Sequence, residues 1–211
     1  MNFDRIAPLY EASARLVFGK QHRRAEAFFL PEIPAGSRVL LVGGGAGHLL
    51  EALLNTRNPA AVTFVEPSGA MRQRAQRRVA NRPNAGVVSF TDSCQNLPSA
   101  HFEALLTPYV LDLFPNPQLE REFLPPLLAA LAPGGLWLFT DFVTPPKGWQ
   151  RVLLRGMYTF FRLTAGIPAR HLPDFEGAFR RAGFGVRKWE VFFWGMIGAG
   201  VLREGTERFF D

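Results

Sequence analysis

Residues 38–50 read RVLLVGGGAGHLL, an apolar run that ends in clustered glycines and continues as a helical pattern. A buried strand that turns through glycine into a helix presents backbone N–H groups to a cleft. A ligand can approach such a turn closely because no Cβ atoms stand in its way. This stretch predicts a ligand site at a strand–helix turn, and it constrains the fold more than any other segment.

The pattern around this turn predicts an α/β fold. Apolar strand-like runs lie at 38–43, 61–66, 86–91, 102–109 and 135–142, and helical patterns lie near 47–56, 68–82 and 117–132. Strands that read as continuous apolar runs are typical of a parallel sheet covered by helices on both faces. We therefore predict a doubly wound, mostly parallel sheet within a single domain.

The same pattern divides residues 1–211 into four parts. We predict a helical cap over 1–30, a ligand-binding core over 38–142, a lid with acceptor-side helices over 146–182, and strands over 183–203. The first residues carry an acid at Asp4 and no long apolar core, and no run of about 20 apolar residues occurs elsewhere. We expect a cytoplasmic protein without a membrane span.

The charge of the chain leaves two interpretations open. The net charge is +6, which would suit an anionic partner such as RNA. However, 21 of the 24 basic residues are arginine, a bias that a compositional habit of the source genome would also produce. The single cysteine, Cys94, excludes an internal disulfide framework.

The glycine spacing distinguishes between two ligand classes. A dinucleotide turn needs Gly-x-Gly-x-x-Gly, but the sixth position is His48 counted from Gly43 and Leu50 counted from Gly45. Gly43, Gly45 and Gly47 instead have the spacing G-x-G-x-G. This turn resembles the first motif of class I S-adenosylmethionine (SAM)-dependent methyltransferases. The resemblance implies SAM as cofactor and a seven-stranded, Rossmann-like sheet; a tight turn without a ligand is the alternative.

Further residues fall where this resemblance expects cofactor contacts. Glu66 ends the second strand, where a carboxylate can accept hydrogen bonds from both ribose hydroxyls. The resemblance assigns Asp92 to the adenine amino group, although the spacing of TDSCQNLP is one residue longer than usual. It also assigns Ser93 and Thr107 to the cofactor site. A surface acid or helix cap at Glu66 and a turn-forming Asp92 remain alternatives.

The N-terminal stretch FDRIAPLYE narrows the resemblance. It is similar to the opening of methyltransferases related to the ubiquinone and menaquinone biosynthesis enzymes. In that group the segment folds over the cofactor, which implies that Tyr10 lies near the methionine moiety.

Leu41 departs from the family, which has an acid two residues before the first glycine. We expect Gly44 to compensate by letting the loop sit closer to the ligand. On this view, a Leu41→Asp variant retains or tightens SAM binding.

The catalytic candidates are Asp112, His48 and Tyr10. Asp112 follows the fourth strand, where it is a base, an acceptor-binding group or a helix N-cap. His48 opens the helix after the glycines, where the helix dipole disfavours its charged form. Residues 107–110 read TPYV, which lacks the acid or amide and the second proline of amino-methylating nucleic-acid enzymes. No histidine spacing resembles a metal site, so we predict none.

Two arginine-bearing helices have several interpretations. Between 150 and 164, Arg151, Arg155 and Arg162 share one helical face, opposite leucine, methionine and phenylalanine. This helix is a lid over a hydrophobic acceptor, an interfacial helix on anionic lipid, or an ordinary surface helix. The arginines at 72–82 indicate a solvated helix face.

Taken together, the sequence predicts a SAM-dependent methyltransferase for a small, apolar or aromatic acceptor, methylated at oxygen or carbon. Two other functions stay open. One is a non-catalytic SAM-fold protein that binds a ligand or partner, and the other, favoured by charge alone, is an RNA methyltransferase.

Overall fold

The computed structural model describes residues 20–145, 147–165 and 171–206. Its strands are β1 (Arg38–Val42), β2 (Ala61–Val65), β3 (Val88–Thr91), β4 (Phe102–Pro108), β5 (Leu131–Phe142), β6 (Phe184–Phe192) and β7 (Ile197–Glu204). Its α-helices are α1 (Gln21–Ala27), α2 (His48–Thr56), α3 (Gly69–Val79), α4 (Asn116–Gln118), α5 (Leu124–Ala130), α6 (Gly148–Ala165) and α7 (Phe175–Arg181). The predicted cap over 1–30 falls outside this description except for residues 20–30.

The strands form one seven-stranded sheet in the order β3-β2-β1-β4-β5-β7-β6. The pairs from β3 through β5 are all parallel, whereas β7 runs antiparallel to both of its neighbours. The prediction of a doubly wound, mostly parallel α/β sheet is confirmed. The order reverses between β1 and β4, and ligands of open α/β sheets bind outside the carboxyl ends of the strands at such a point.

Two apolar clusters cover the two faces of the sheet. Along β1, Leu40 and Val42 belong to one cluster, whereas Val39 and Leu41 belong to the other. Successive side chains of a strand point to opposite faces, so a strand that is covered on both sides must be apolar at every position. The core therefore explains why β1 reads as an uninterrupted hydrophobic run.

The helices that flank the carboxyl edge begin at recognisable caps. The Ser68 hydroxyl accepts a hydrogen bond from the Met71 N–H at 3.2 Å and caps α3. The Asp174 carboxylate accepts one from the Gly177 N–H at 2.9 Å and caps α7. Each cap satisfies an N–H group that lacks a partner within its own helix.

The helical pattern predicted near 117–132 is not one continuous α-helix. It consists of α4, a π-helical turn at Leu119–Phe123 and α5. Pro125 and Pro126 follow the π turn and have no N–H groups, so two bonds of a regular α-helix cannot form there. β5 also begins earlier than predicted, because Leu131 already pairs with Phe102 before the Pro133–Gly135 turn.

No helix within the described ranges is both long and apolar enough to cross a bilayer.

Candidate functional site

The glycine turn joins β1 to α2 at the carboxyl edge of the sheet. Gly43, Gly45 and Gly47 have φ values of 77°, 53° and 81°, a region that side chains other than glycine rarely adopt. A Cβ at Gly43 would meet the Val110 side chain at 2.9 Å, and one at Gly47 would meet Ala75 at 2.8 Å. At Gly45 a Cβ would meet no atom within 4 Å, so this glycine faces open space.

Glu66 is bound directly to this turn. One carboxylate oxygen accepts a hydrogen bond from the Gly45 N–H at 3.0 Å, and the other accepts one from the Ser68 N–H at 3.0 Å. Glu66 is buried, and it follows β2, which lies next to β1. The structure thus brings the glycines and the acid together, and the two N–H groups fix the orientation of the carboxylate.

Two arginines of α3 donate hydrogen bonds to the backbone of the glycine turn and of Glu66. Arg78 donates from Nε to the Ala46 carbonyl at 2.9 Å and also pairs with Glu51 at 3.2 Å. Arg72 donates from Nη1 to the Glu66 carbonyl at 2.6 Å. The prediction of a purely solvated face on α3 is therefore wrong for Arg72 and Arg78, although Arg77 is exposed as expected.

His48 is part of this arginine network. Its Nε2 lies 2.8 Å from an Nη2 atom of Arg23 and 3.1 Å from Nη2 of Arg78. Burial, together with the charges of these two guanidinium groups, lowers the pKa of His48 to about 4. A neutral imidazole was predicted. Arg23 and Arg78 both face Nε2, so this atom belongs to the arginine network, and a role of His48 at the pocket stays a prediction.

Asp92 and Ser93 follow β3, which pairs with β2, the strand that Glu66 follows. Asp92 is exposed, and the Ser93 hydroxyl accepts a hydrogen bond from the Gln95 N–H at 3.0 Å. A cavity of about 430 Å³ adjoins this loop and is lined by Ser93, Cys94, Gln95, Asn96, Leu97, Glu122, Phe123, Pro126 and Ala129. Burial raises the pKa of the Cys94 thiol to about 11, so the thiol is protonated at neutral pH.

Thr107 does not reach the cleft. It is completely buried, and its hydroxyl accepts a hydrogen bond from the indole N–H of Trp137 at 2.8 Å. The predicted cofactor contact of this hydroxyl is wrong. Both faces of β4 are covered, and Thr107 points to the face that carries Trp137.

Leu41 likewise points into the core and is completely buried. An aspartate there would bury a carboxylate among apolar side chains, so we now expect Leu41→Asp to destabilise the fold. Gly44 has a clear role in packing, since a Cβ there would lie 2.2 Å from the Phe64 ring. The glycine lets this ring pack beneath the turn.

The residues at this edge fit an adenosyl cofactor. Gly45 leaves open space, Glu66 presents an oriented carboxylate, and the first turn of α2 supplies N–H groups that suit a carboxylate. The sequence model of a family described as "Methyltransferase domain" matches residues 15–188, which is more than half of the chain. The chain belongs to this methyltransferase family. The enzyme class and SAM as cofactor, both predicted from the sequence, are thereby confirmed, whereas the ubiquinone-type subgroup is not.

Solved structures agree on the fold. 1,6-Didemethyltoxoflavin-N1-methyltransferase of Burkholderia thailandensis, solved with its substrate and S-adenosylhomocysteine, has a TM-score of 0.68 and 16% identity over 96% of this chain and 86% of its own. The mitomycin 7-O-methyltransferase MmcR has a TM-score of 0.70 and 16% identity over 97% of this chain and 61% of its own. The [4+2]-cyclase SpnF has a TM-score of 0.66 and 16% identity over 84% of this chain and 79% of its own. At such identities the likeness shows the fold alone, and a search of curated protein sequences found no significant match.

A second group of buried polar side chains lies beyond β4. Tyr109 follows this strand with φ of 50°, and its ring stacks on His22 of α1 at 4.1 Å and 9°. The Tyr109 hydroxyl donates to the His22 carbonyl at 3.0 Å, and its ring lies 5.4 Å from Phe142. Tyr109 belongs to an apolar cluster that includes Phe142, Leu154, Phe192 and Met196.

His22, which stacks on Tyr109 of this cluster, carries an unusual polar atom. Its Nε2 is buried and has no hydrogen-bond partner among the described residues. Burial, with smaller contributions from Arg23 and His48, lowers the pKa of His22 to about 4. Glu26 lies one turn further along α1, and burial raises its pKa to about 8. Both groups are therefore uncharged in the folded protein at neutral pH.

Asp112, the predicted base, is paired with a second carboxyl. Its backbone N–H and that of Leu111 donate to Asp141 at 3.2 and 3.0 Å, and Asp141 is completely buried near the end of β5. Burial and the neighbouring Asp112 raise the pKa of Asp141 well above its usual range. Asp112 lies within a 3-10 turn at Leu111–Leu113 and caps no helix there, so the N-cap interpretation is wrong.

Several site residues were missed from the sequence, and one predicted residue lies outside the description. Tyr10 falls among residues 1–19. Asp141 is the next-to-last residue of the strand predicted at 135–142, and an acid at that position was a usable signal. His22 and Arg78 gave none, because their partners come from distant parts of the chain. No cluster of described residues could hold a metal ion.

Proposed function

We propose that this methyltransferase acts on a small apolar or aromatic acceptor that carries a hydroxyl group or an acidic carbon. The observation that carries the proposal is the buried Nε2 of His22, which has no hydrogen-bond partner among the described residues and lies beside Tyr109, a member of an apolar cluster. A buried polar atom without a partner is costly, so it is expected where a ligand group completes it. An apolar pocket with one or two polar groups is typical of small-molecule sites.

Different residues of the chain are assigned to the cofactor and to the acceptor. When bound, SAM supplies a methyl group that is already activated by its sulfonium, so the protein mainly orients the partners and excludes water. We assign the cofactor to Gly43, Gly45, Gly47 and Glu66. We assign to His22 the role of accepting a hydrogen bond from the acceptor group and so orienting that group towards the methyl group.

The stretch around Tyr10 supports a finer proposal. We propose that the opening FDRIAPLYE closes over the cofactor, as it does in the ubiquinone- and menaquinone-type enzymes that it resembles. A Tyr10→Ala variant should then bind S-adenosylhomocysteine more weakly than the parent protein. An unchanged affinity would count against this subgroup.

The test is a turnover assay with methyl-labelled SAM and a panel of phenols, hydroquinones, aliphatic alcohols, amines and short RNA. We expect label in the hydroxylated aromatic compounds, with a loss of turnover in His22→Phe and unchanged binding of S-adenosylhomocysteine. Labelled amines or RNA would overturn the acceptor class. If no member of the panel and no metabolite extract is methylated while S-adenosylhomocysteine still binds, the protein is a non-catalytic member of the fold.

A further inference from the structure

Two tryptophans form an exposed patch on the side of the molecule where α6 begins. Trp149 and Val152 of α6 are 52% and 69% exposed, and Trp194 of the β6–β7 turn is 68% exposed. The two indole rings meet edge to face with centroids 5.8 Å apart. We call these three residues the tryptophan patch. Large apolar side chains that cluster on a surface usually mark an interaction site.

The turn that carries Trp194 is strained and firmly held. Phe193 and Trp194 have φ values of 48° and 56°, which disfavour residues with a Cβ. The side chain of Gln150, completely buried, donates to the Trp194 carbonyl at 2.9 Å and accepts from the Lys147 N–H at 3.0 Å. Strain of this kind persists only where the surroundings impose it, and it concentrates at functional sites.

The segment that contains α6 carries charge of a single sign. Residues 142–173 contain five basic residues and no acid. Three of the basic residues, Lys147, Arg151 and Arg155, are exposed within two turns of Trp149. Tryptophan is suited to the boundary between water and lipid, and neighbouring basic residues attract anionic headgroups.

From these observations we propose that the tryptophan patch docks the protein onto the surface of an anionic bilayer. The indoles of Trp149 and Trp194 enter the headgroup region, Val152 adds apolar contact, and the three basic residues pair with phosphates. A bilayer fits better than RNA, because the two rings meet edge to face and the aliphatic Val152 offers no stacking surface. The proposal does not depend on which acceptor is methylated.

The experiment is vesicle flotation of the full chain at low salt. One set of vesicles is pure phosphatidylcholine, and the other contains one third phosphatidylglycerol. We expect flotation only with the anionic vesicles, with a blue shift of tryptophan fluorescence. The Trp149→Ala/Trp194→Ala variant should bind about tenfold more weakly.

A matched pair of charge variants separates local from overall charge. Arg151→Glu/Arg155→Glu should lose flotation, whereas Arg77→Glu/Arg187→Glu changes the net charge equally at exposed positions elsewhere and should retain it. If both variants lost flotation equally, the net charge of the protein alone would explain vesicle binding, and the proposal would be overturned. The proposal would also be overturned if the wild-type protein stayed in the bottom fraction and did not float with the anionic vesicles. Self-association or RNA binding that requires the tryptophans while the anionic vesicles bind nothing would overturn it as well.

Discussion

The two regions that we propose as the cofactor half and the acceptor half of the site are held in different ways. Around the glycine turn, the Glu66 carboxylate is fixed by two backbone N–H groups, and Arg78 holds the turn from behind. Beyond β4, in contrast, the His22 Nε2 is buried without a hydrogen-bond partner among the described residues, and two carboxyl groups lie side by side. The polar groups of the first half are paired with one another, whereas the second half leaves one polar atom open to a further partner.

This difference matches what the two halves must do. A cofactor shared by many enzymes can be bound by backbone groups and one acid, and these can be arranged in advance. An acceptor differs from one enzyme to the next, so its site must be assembled from side chains. The predictions below test whether cofactor affinity and acceptor chemistry can be changed separately.

The largest effect is expected at Glu66. Glu66→Ala removes the acceptor of the Gly45 and Ser68 N–H groups together with the oxygens available to the ribose. Since charge-assisted hydrogen bonds contribute about 1.5–3 kcal/mol each, we expect S-adenosylhomocysteine to bind about 100-fold more weakly. Isothermal titration calorimetry measures this change.

Glu103→Ala is the matched control for that variant. Glu103 lies on β4 but pairs with Arg38 at the opposite edge of the sheet, and its carboxylate is bound by the Arg38 backbone N–H at 2.7 Å. Its removal should leave affinity unchanged even if stability falls. A loss of affinity in both variants would mean that Glu66 acts only through the fold.

A smaller effect is expected at Gly45. Gly45→Ala introduces a Cβ into space that the protein leaves open, and it costs about 1 kcal/mol because φ is positive. We expect S-adenosylhomocysteine to bind about tenfold more weakly, because the methyl group occupies ligand space.

Gly36→Ala separates backbone strain from ligand contact. Gly36 has φ of 74°, and a Cβ there also meets nothing within 4 Å, but it precedes β1 at the opposite edge. Thermal unfolding should show similar stability losses in the two variants, while calorimetry should show weaker binding only in Gly45→Ala. Equal affinities would indicate that the ligand does not approach this glycine.

The two halves also differ in how far the sequence predicted them. The glycine turn and Glu66 were predictable because a strand–turn–helix pattern and the end of the next strand are local features. Thr107 was predicted as a cofactor contact, but both faces of β4 are buried. The pattern of apolar residues therefore does not tell to which face the threonine side chain points. An interfacial helix at 150–164 was among the alternatives, but His22 and the pairing of Trp149 with Trp194 were missed because their surroundings are built from segments far apart in the chain.

The smallest expected change is in the free energy of unfolding of His22→Phe. It tests whether the proposed acceptor half leaves a polar atom unpaired when no ligand is bound. His22→Phe keeps a ring that can stack on Tyr109 but removes the unpartnered Nε2. Removing a buried polar atom without a partner should raise the free energy of unfolding by about 1 kcal/mol while cofactor affinity stays unchanged. His22→Gln retains a polar group and should give no such gain, and a less stable His22→Phe would mean that the imidazole supports the fold.

The pH dependence of stability tests the same residue. The pKa of His22 is about 4 in the folded protein, below its ordinary value of 6.5, so the unfolded chain binds more protons between these values. Its contribution to stability is complete above pH 6.5 and declines as the pH falls towards 4, by at most about 1.4 kcal/mol per pH unit. Urea unfolding over this range should therefore show a shallower decline for His22→Phe than for the parent protein. His48 shares the lowered pKa and should account for part of the decline that remains. If the free energy of unfolding fell equally with pH in both proteins, burial of the His22 ring would not oppose its protonation. The proposed acceptor half would then lack the feature that distinguishes it from the cofactor half.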